Sequence, residues 1–177
     1  MNDVLFTSDR LQFRSWKKED LQNLITLNSN PLVMKYFPTL LHEEDCKKFL
    51  HSMQKQLEQN KFCYFAVEVI QTKEFIGFIG LSKQTYPIDF NPSVDIGWRL
   101  HPKFWSKGYA TEGAKACLQY GFNQINLKKI LAVAPITNTN SIAVMQKIGM
   151  QKVKEFEHPL LLEYPTLKNC VVYEKTI

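Results

Sequence analysis

The chain has 177 residues, 45% of them apolar and 22% charged, with a formal net charge of +5. That length buries a core without disulfide or metal staples, and that composition excludes disorder and fibrous repeats. No apolar run approaches the roughly 20 residues that cross a bilayer, and Met1-Asn2-Asp3 opens without a basic segment and an apolar stretch, so one domain over residues 1–177, cytoplasmic and away from membranes, is expected.

The elements follow in order. Residues 10–16 alternate Leu11, Phe13 and Ser15 with Gln12, Arg14 and Trp16, a strand pattern. Leu21, Leu24 and Ile25 take helical spacing over residues 18–28, before the Asn30-Pro31 break. Cys46, Phe49, Leu50, Met53 and Leu57 fall on one face of a helix over residues 42–60. Residues 62–70 and 75–81 form a β-hairpin around Gln71-Thr72-Lys73-Glu74. In residues 94–100, Val94, Ile96, Trp98 and Leu100 alternate with Asp95, Gly97 and Arg99, giving a strand with two unlike faces. Ala110, Ala114, Cys117, Leu118, Gly121, Phe122 and Ile125 make the cleanest helical stripe. A buried strand over residues 129–134 precedes a short helix over residues 139–148, which Gly149 ends from the left-handed cap position. Strands near residues 150–157 and 168–175 complete the order β-α-α-β-β-β-α-β-α-β-β, a mixed α/β class.

The four cysteines, Cys46, Cys63, Cys117 and Cys170, contain no C-x-x-C pair and are expected to be reduced core residues. His42 and Cys46 have helical i, i+4 spacing, but two ligands do not hold a metal and Cys46 lies on the apolar stripe, so no metal is expected. The lysines are scattered. Lys17-Lys18 and Lys128-Lys129 are too short for a basic tail, which argues against a nucleic-acid partner.

The most informative segment is Trp105-Ser106-Lys107-Gly108-Tyr109-Ala110-Thr111-Glu112-Gly113, between the two-faced strand and the striped helix. Free backbone N–H groups and the positive end of the dipole at a helix N-terminus bind phosphate oxygens. Gly108 permits the turn and Ala110 keeps bulk away from the ligand. A plain strand-to-helix turn uses the same residues.

This segment resembles the coenzyme A pyrophosphate loop of the GNAT acetyltransferase superfamily: Gln or Arg, two residues, Gly, any residue, then Gly or Ala. Gly108 and Ala110 fit, while Trp105 stands where Gln or Arg is usual, as in the RimJ/RimL branch. The resemblance extends through Leu11 to Trp16 with Glu19-Asp20-Leu21, through Ile76-Gly77-Phe78-Ile79-Gly80-Leu81 and Asp95-Ile96-Gly97-Trp98, to Asn138-Thr139-Asn140-Ser141 with Lys147-Ile148-Gly149-Met150 and Phe156-Glu157-His158-Pro159. It implies the GNAT fold, a mixed, mostly antiparallel sheet whose fourth and fifth strands splay apart, with pantetheine along the edge carrying Trp98 and Leu100. It implies acetyl-coenzyme A (acetyl-CoA) as co-substrate and a loop of Trp105, Ser106, Lys107, Gly108, Tyr109, Ala110 and Thr111 around the pyrophosphate. Asn138 then bonds the cofactor, Ser141 lies near the sulfur, and Asp95 matches the place of a catalytic Glu in some members. Asp95 otherwise faces solvent or caps a neighbouring strand. Glu68 is a second candidate base, or an alternating polar residue at the sheet surface. Tyr36 and Phe37 are the expected wall of the acceptor's entrance, facing the loop after His158-Pro159. The expected acceptor is a primary amine, a peptide N-terminus or a small molecule, with a lean away from spermidine. The enzyme is expected to be a monomer or homodimer, and a non-catalytic acyl-CoA sensor of the same fold is the alternative.

Overall fold

The computed structural model describes residues 4–177; Met1-Asn2-Asp3 lies outside them. A hairpin of β1 (Val4–Thr7) and β2 (Leu11–Arg14) leads into α1 (Leu21–Asn28) and α2 (Glu43–Asn60), and β3 (Tyr64–Val69), β4 (Phe75–Gln84) and β5 (Ser93–Leu100) form a meander. Helix α3 (Tyr109–Asn123) crosses to β6 (Lys129–Pro135), and α4 (Thr139–Lys147), β7 (Gln151–Glu157) and β8 (Asn169–Thr176) follow. All eight strands join one sheet in the order β1-β2-β3-β4-β5-β6-β8-β7. Every pairing is antiparallel except β5 with β6, the parallel pair that needs the α3 crossover.

Each expected strand and helix is present, with shifts of a few residues at its ends. β1 was not expected: four residues, mostly exposed, are too short for alternation to show. It counts as the first strand here, so the family's fourth and fifth strands are β5 and β6. The N-terminal part of the first expected helix is a 3₁₀ turn, Lys18–Asp20. Gly149 takes φ +79°, the left-handed conformation that ends α4.

The pleat sorts side chains to two layers. Leu11, Phe13 and Ile79 lie against α3 at Gly113, whereas Phe78 and Trp16 meet Phe49 of α2 on the other face, with ring centroids 5.1 and 5.7 Å away. Fully buried Phe13, Phe65, Leu81 and Ile130 contribute about 1.5–3 kcal/mol each by removal from water. The four cysteines are free and buried. Among the described residues no helix is long and apolar enough to cross a membrane, and no His, Cys, Asp and Glu cluster could hold a metal.

β5 positions the site. It pairs with β4 along its whole length, from Ser93↔Gln84 to Leu100↔Gly77, but meets β6 only at Asp95↔Leu131. Beyond that point the two parallel strands diverge. The edge of β5 from Ile96 to Leu100 is open toward β6, and the N-termini of α3 and α4 follow the ends of the diverging strands.

Candidate active site

Gly108 is the N-cap of α3 at φ +80°, and Ser106 takes φ +59° just before it. Glycine adopts this left-handed conformation without the Cβ penalty of other residues. It also supplies no capping side chain. The first intrahelical bond runs from Glu112 N to Gly108 O at 3.0 Å, so the N–H groups of Tyr109, Ala110 and Thr111 have no acceptor within the helix. Trp105, Ser106 and Lys107 are exposed around this opening. The Trp105 indole N–H donates to the Leu100 carbonyl at 2.7 Å, tying the loop to the end of β5.

Arg10 is the residue that sequence reasoning missed here. Its guanidinium sits over the Tyr109 ring at 4.5 Å, and its Nη2 lies 3.5 Å from where a Cβ on Gly108 would be. Glu112 holds it there, accepting from Arg10 Nε at 2.6 Å and from Arg10 N at 2.8 Å, with Ser8 Oγ donating at 2.6 Å. Burial raises the Glu112 carboxyl pKa, but these hydrogen bonds outweigh it and keep the pKa below the usual value. The β1–β2 turn thus brings a cation to the free N–H groups of a 15-residue helix, an arrangement suited to phosphate. Arg10 lies about a hundred residues from Gly108, and no local pattern carries that pairing.

Trp98 pairs with Ile79, which packs on α3, so Trp98 and Leu100 lie on the α3 face of β5 and their backbone borders the splay. Asp95, Gly97 and Arg99 face the α1–α2 layer, because Arg99 pairs with Phe78 and Asp95 with Ser82. Tyr64 of β3 spans this column. A Cβ on Gly97 would come within 3.0 Å of the Tyr64 ring, and the Tyr64 hydroxyl donates to Asp95 Oδ1 at 2.7 Å. Gln84 Nε2 donates to the same oxygen at 3.1 Å. Burial pushes the Asp95 carboxyl pKa up to about 6, against the pull of these two hydrogen bonds. A buried carboxylate whose pKa is raised in this way can accept a proton near physiological pH.

Glu68 is elsewhere engaged. Arg14 Nε donates to its Oε1 at 2.6 Å and Gln12 Nε2 to its Oε2 at 2.5 Å, while Arg14 makes a forked pair with Asp20 at 2.7 Å for each bond. Both Glu68 oxygens are thus occupied in a buried network that ties β2, β3 and the start of α1 together. It is not brought to Asp95.

Asn138 is the N-cap of α4, its Oδ1 accepting from Ser141 N at 3.2 Å. Ser141 is half-buried in the first turn of α4, at the end of the sheet where β5 and β6 part. Phe37 is 41% exposed yet lies over the Arg99 guanidinium at 4.0 Å, so the expected entrance segment borders the column of β5; Tyr36 is half-buried beside it. On the other side His158 packs on Tyr86 at 4.5 Å. Tyr86 is close enough to Asp95 for its charge to help raise the phenol pKa to about 12, although burial is the larger cause.

Comparison with known proteins agrees with this geometry. The sequence model of the Acetyltransferase (GNAT) domain matches residues 10–151. The chain is 34% identical over 147 residues to the uncharacterized N-acetyltransferase YnaD of Bacillus subtilis (strain 168), covering 82% of each protein. The crystal structure of a GNAT-family acetyltransferase from Bacillus anthracis superposes with a TM-score of 0.80 at 29% identity over 96% of both chains. Spermidine N-acetyltransferase from Vibrio cholerae, solved with CoA and spermine, has the same fold, with a TM-score of 0.76 at 22% identity over 94% of this chain and 95% of that one. With an open β5 edge, an uncapped α3 N-terminus and these matches, the chain belongs to the GNAT acetyltransferase family, enzymes of the acyl-transfer class.

Proposed function

We propose that the protein transfers the acetyl group of acetyl-CoA directly to a primary amine, and that it belongs to the RimJ/RimL-like branch. The observation that carries this reading is the pairing of an uncapped α3 N-terminus beside Arg10 with a carboxylate of raised pKa on the opposite face of β5. The co-substrate supplies an activated thioester. The N–H groups of residues 109–111 and the guanidinium of Arg10 would hold its pyrophosphate, with Trp105, Ser106 and Lys107 lining the loop, and the open edge from Ile96 to Leu100 would receive its pantetheine by strand addition. The cradle fits, since it offers donors and no carboxylate except Glu112, which is already satisfied by Ser8 and Arg10.

Asp95 then takes the proton that the acceptor nitrogen must lose as its bond to the acetyl carbon forms. Tyr64 and Gln84 position that carboxylate. Ser141 Oγ passes a proton to the sulfur as the carbon–sulfur bond breaks and regains one from solvent, and Asn138 fixes the turn that carries Ser141. The acceptor enters between Phe37 with Tyr36 and the loop beyond His158, opposite the phosphate cradle. Four buried free thiols fit a reducing compartment such as the cytoplasm.

The test combines calorimetry of acetyl-CoA binding with thiol release across amino acids, peptides, polyamines and aminoglycosides. Binding together with amine-dependent release of one thiol per N-acetyl product is expected. Binding without amine-dependent release would leave a ligand sensor of the same fold.

A further inference from the structure

Arg99 is a cation on the acceptor-facing column of β5 that lacks a counter-ion among the described residues. The contrast with Arg14 is internal to the protein: Arg14 is buried against two carboxylates, Asp20 and Glu68. Arg99 forms no ion pair with any aspartate or glutamate among the described residues. Its Nη1 donates to Asn28 Oδ1 at 2.7 Å, and its Nε is buried without any partner. The guanidinium is clamped between rings, 4.0 Å from the centre of Phe37 and 5.1 Å from that of Phe78. Tyr64 stacks on the same Phe78 at 5.6 Å, so a single ring separates the cation from the phenol that holds Asp95.

A desolvated cation without an anion is costly unless something arrives to complete it. Burial pulls the Arg99 pKa down to about 10, with Tyr64 and Cys46 opposing the shift. The residue therefore remains charged at neutral pH. Phe37, itself exposed, covers one face of the guanidinium and fixes the plane of the fork.

Building on the acetyl-transfer reading, we propose that Arg99 receives an anionic group on the acceptor, which makes the acceptor an amine that also carries a carboxylate or a phosphate. Asp95 and Arg99 are four residues apart on one face of β5, roughly 13 Å between Cα atoms. Both side chains leave the same face of the strand, so the span suits a small bifunctional molecule or the first residue or two of a peptide. Within this class, a carboxylate with a pKa of about 6 stands closer to the α-amine of a peptide N-terminus, at about 8, than to an alkyl amine at about 10.4. Polycations meet a fixed positive charge on the same face of β5 as the base and are excluded.

Matched pairs test this on the wild-type enzyme at saturating acetyl-CoA. One pair is phenylalanine with phenylalaninamide, a second is phosphoethanolamine with ethanolamine, and spermidine is the polycation. The anionic member of at least one pair is expected to have a kcat/KM higher by about 10–100-fold, the first pair reporting carboxylate and the second phosphate recognition. Arg99→Met, which keeps the packing between the rings, should erase the preference while leaving acetyl-CoA affinity unchanged. Equal turnover within both pairs, faster turnover of spermidine, or a preference that survives in Arg99→Met overturns the inference. Calorimetry without acetyl-CoA binding would instead remove the acetyl-transfer reading on which it stands, so the two failures are distinguishable.

Discussion

The Tyr64 hydroxyl reaches Asp95 Oδ1 at 2.7 Å across the bare backbone of Gly97, joining β3 to β5 over a position where a side chain would crowd the ring. That hydrogen bond opposes the burial that lifts Asp95 to about 6. As the proposed base, the carboxylate would act only when deprotonated, so kcat/KM should fall as pH drops through about 6. Tyr64→Phe keeps the stacking on Phe78 and removes the donor, which raises the Asp95 pKa further. The acidic limb of the profile is expected to move to higher pH, with the largest loss near pH 6 and little loss near pH 8. An unmoved limb contradicts the coupling.

Gly108→Val places a β-branched residue at φ +80°, a conformation that costs an ordinary residue about 1–2 kcal/mol. The loop should relax and withdraw its N–H groups. Calorimetry is expected to show acetyl-CoA affinity reduced by about tenfold or more, while circular dichroism shows the helices intact. Native affinity in a folded variant removes the phosphate cradle from the account.

Arg10→Ala removes the cation beside the α3 N-terminus and releases Glu112 toward it. The dissociation constant for CoA should rise several-fold at low ionic strength, and the gap to wild type should narrow in high salt because Arg10 is exposed and screened. A salt-independent change points to local unfolding of the β1–β2 turn.

Glu68→Gln separates structure from catalysis. The substitution leaves buried Arg14 with one carboxylate in place of two, and breaking a buried pair costs about 3–5 kcal/mol. Denaturant melts should show a loss approaching that size. The folded enzyme should retain near-native kcat, whereas a hundredfold loss of kcat in a stable protein would return Glu68 to the position of base.

The sequence carried the periodic elements well because α2, α3 and β5 are long and each buries one face. Gly108 and the free N–H groups behind it were legible for the same reason, being local to one turn. β1 was not, since Val4–Thr7 is a short edge strand without alternation. The contacts that tune the site were also hidden. Tyr64 with Asp95, Arg10 with Glu112 and Arg99 with Phe37 join residues 31 to 102 apart, and only the register of the sheet and the packing of its layers bring them together. Glu68 looked like a free polar residue in a strand because its partners, Arg14 and Gln12, lie on the neighbouring strand more than fifty residues earlier.

Asp95 is proposed to remove the acceptor's proton during direct transfer from acetyl-CoA. The most direct measurement compares wild type with Asp95→Asn, using thiol release at saturating acetyl-CoA together with calorimetric acetyl-CoA affinity. Asn keeps the shape and the hydrogen bond from Tyr64, so co-substrate affinity should be unchanged while kcat falls by about 10²–10⁴-fold. Near-native kcat in Asp95→Asn, with an acceptor that the wild-type enzyme acetylates, would contradict the account.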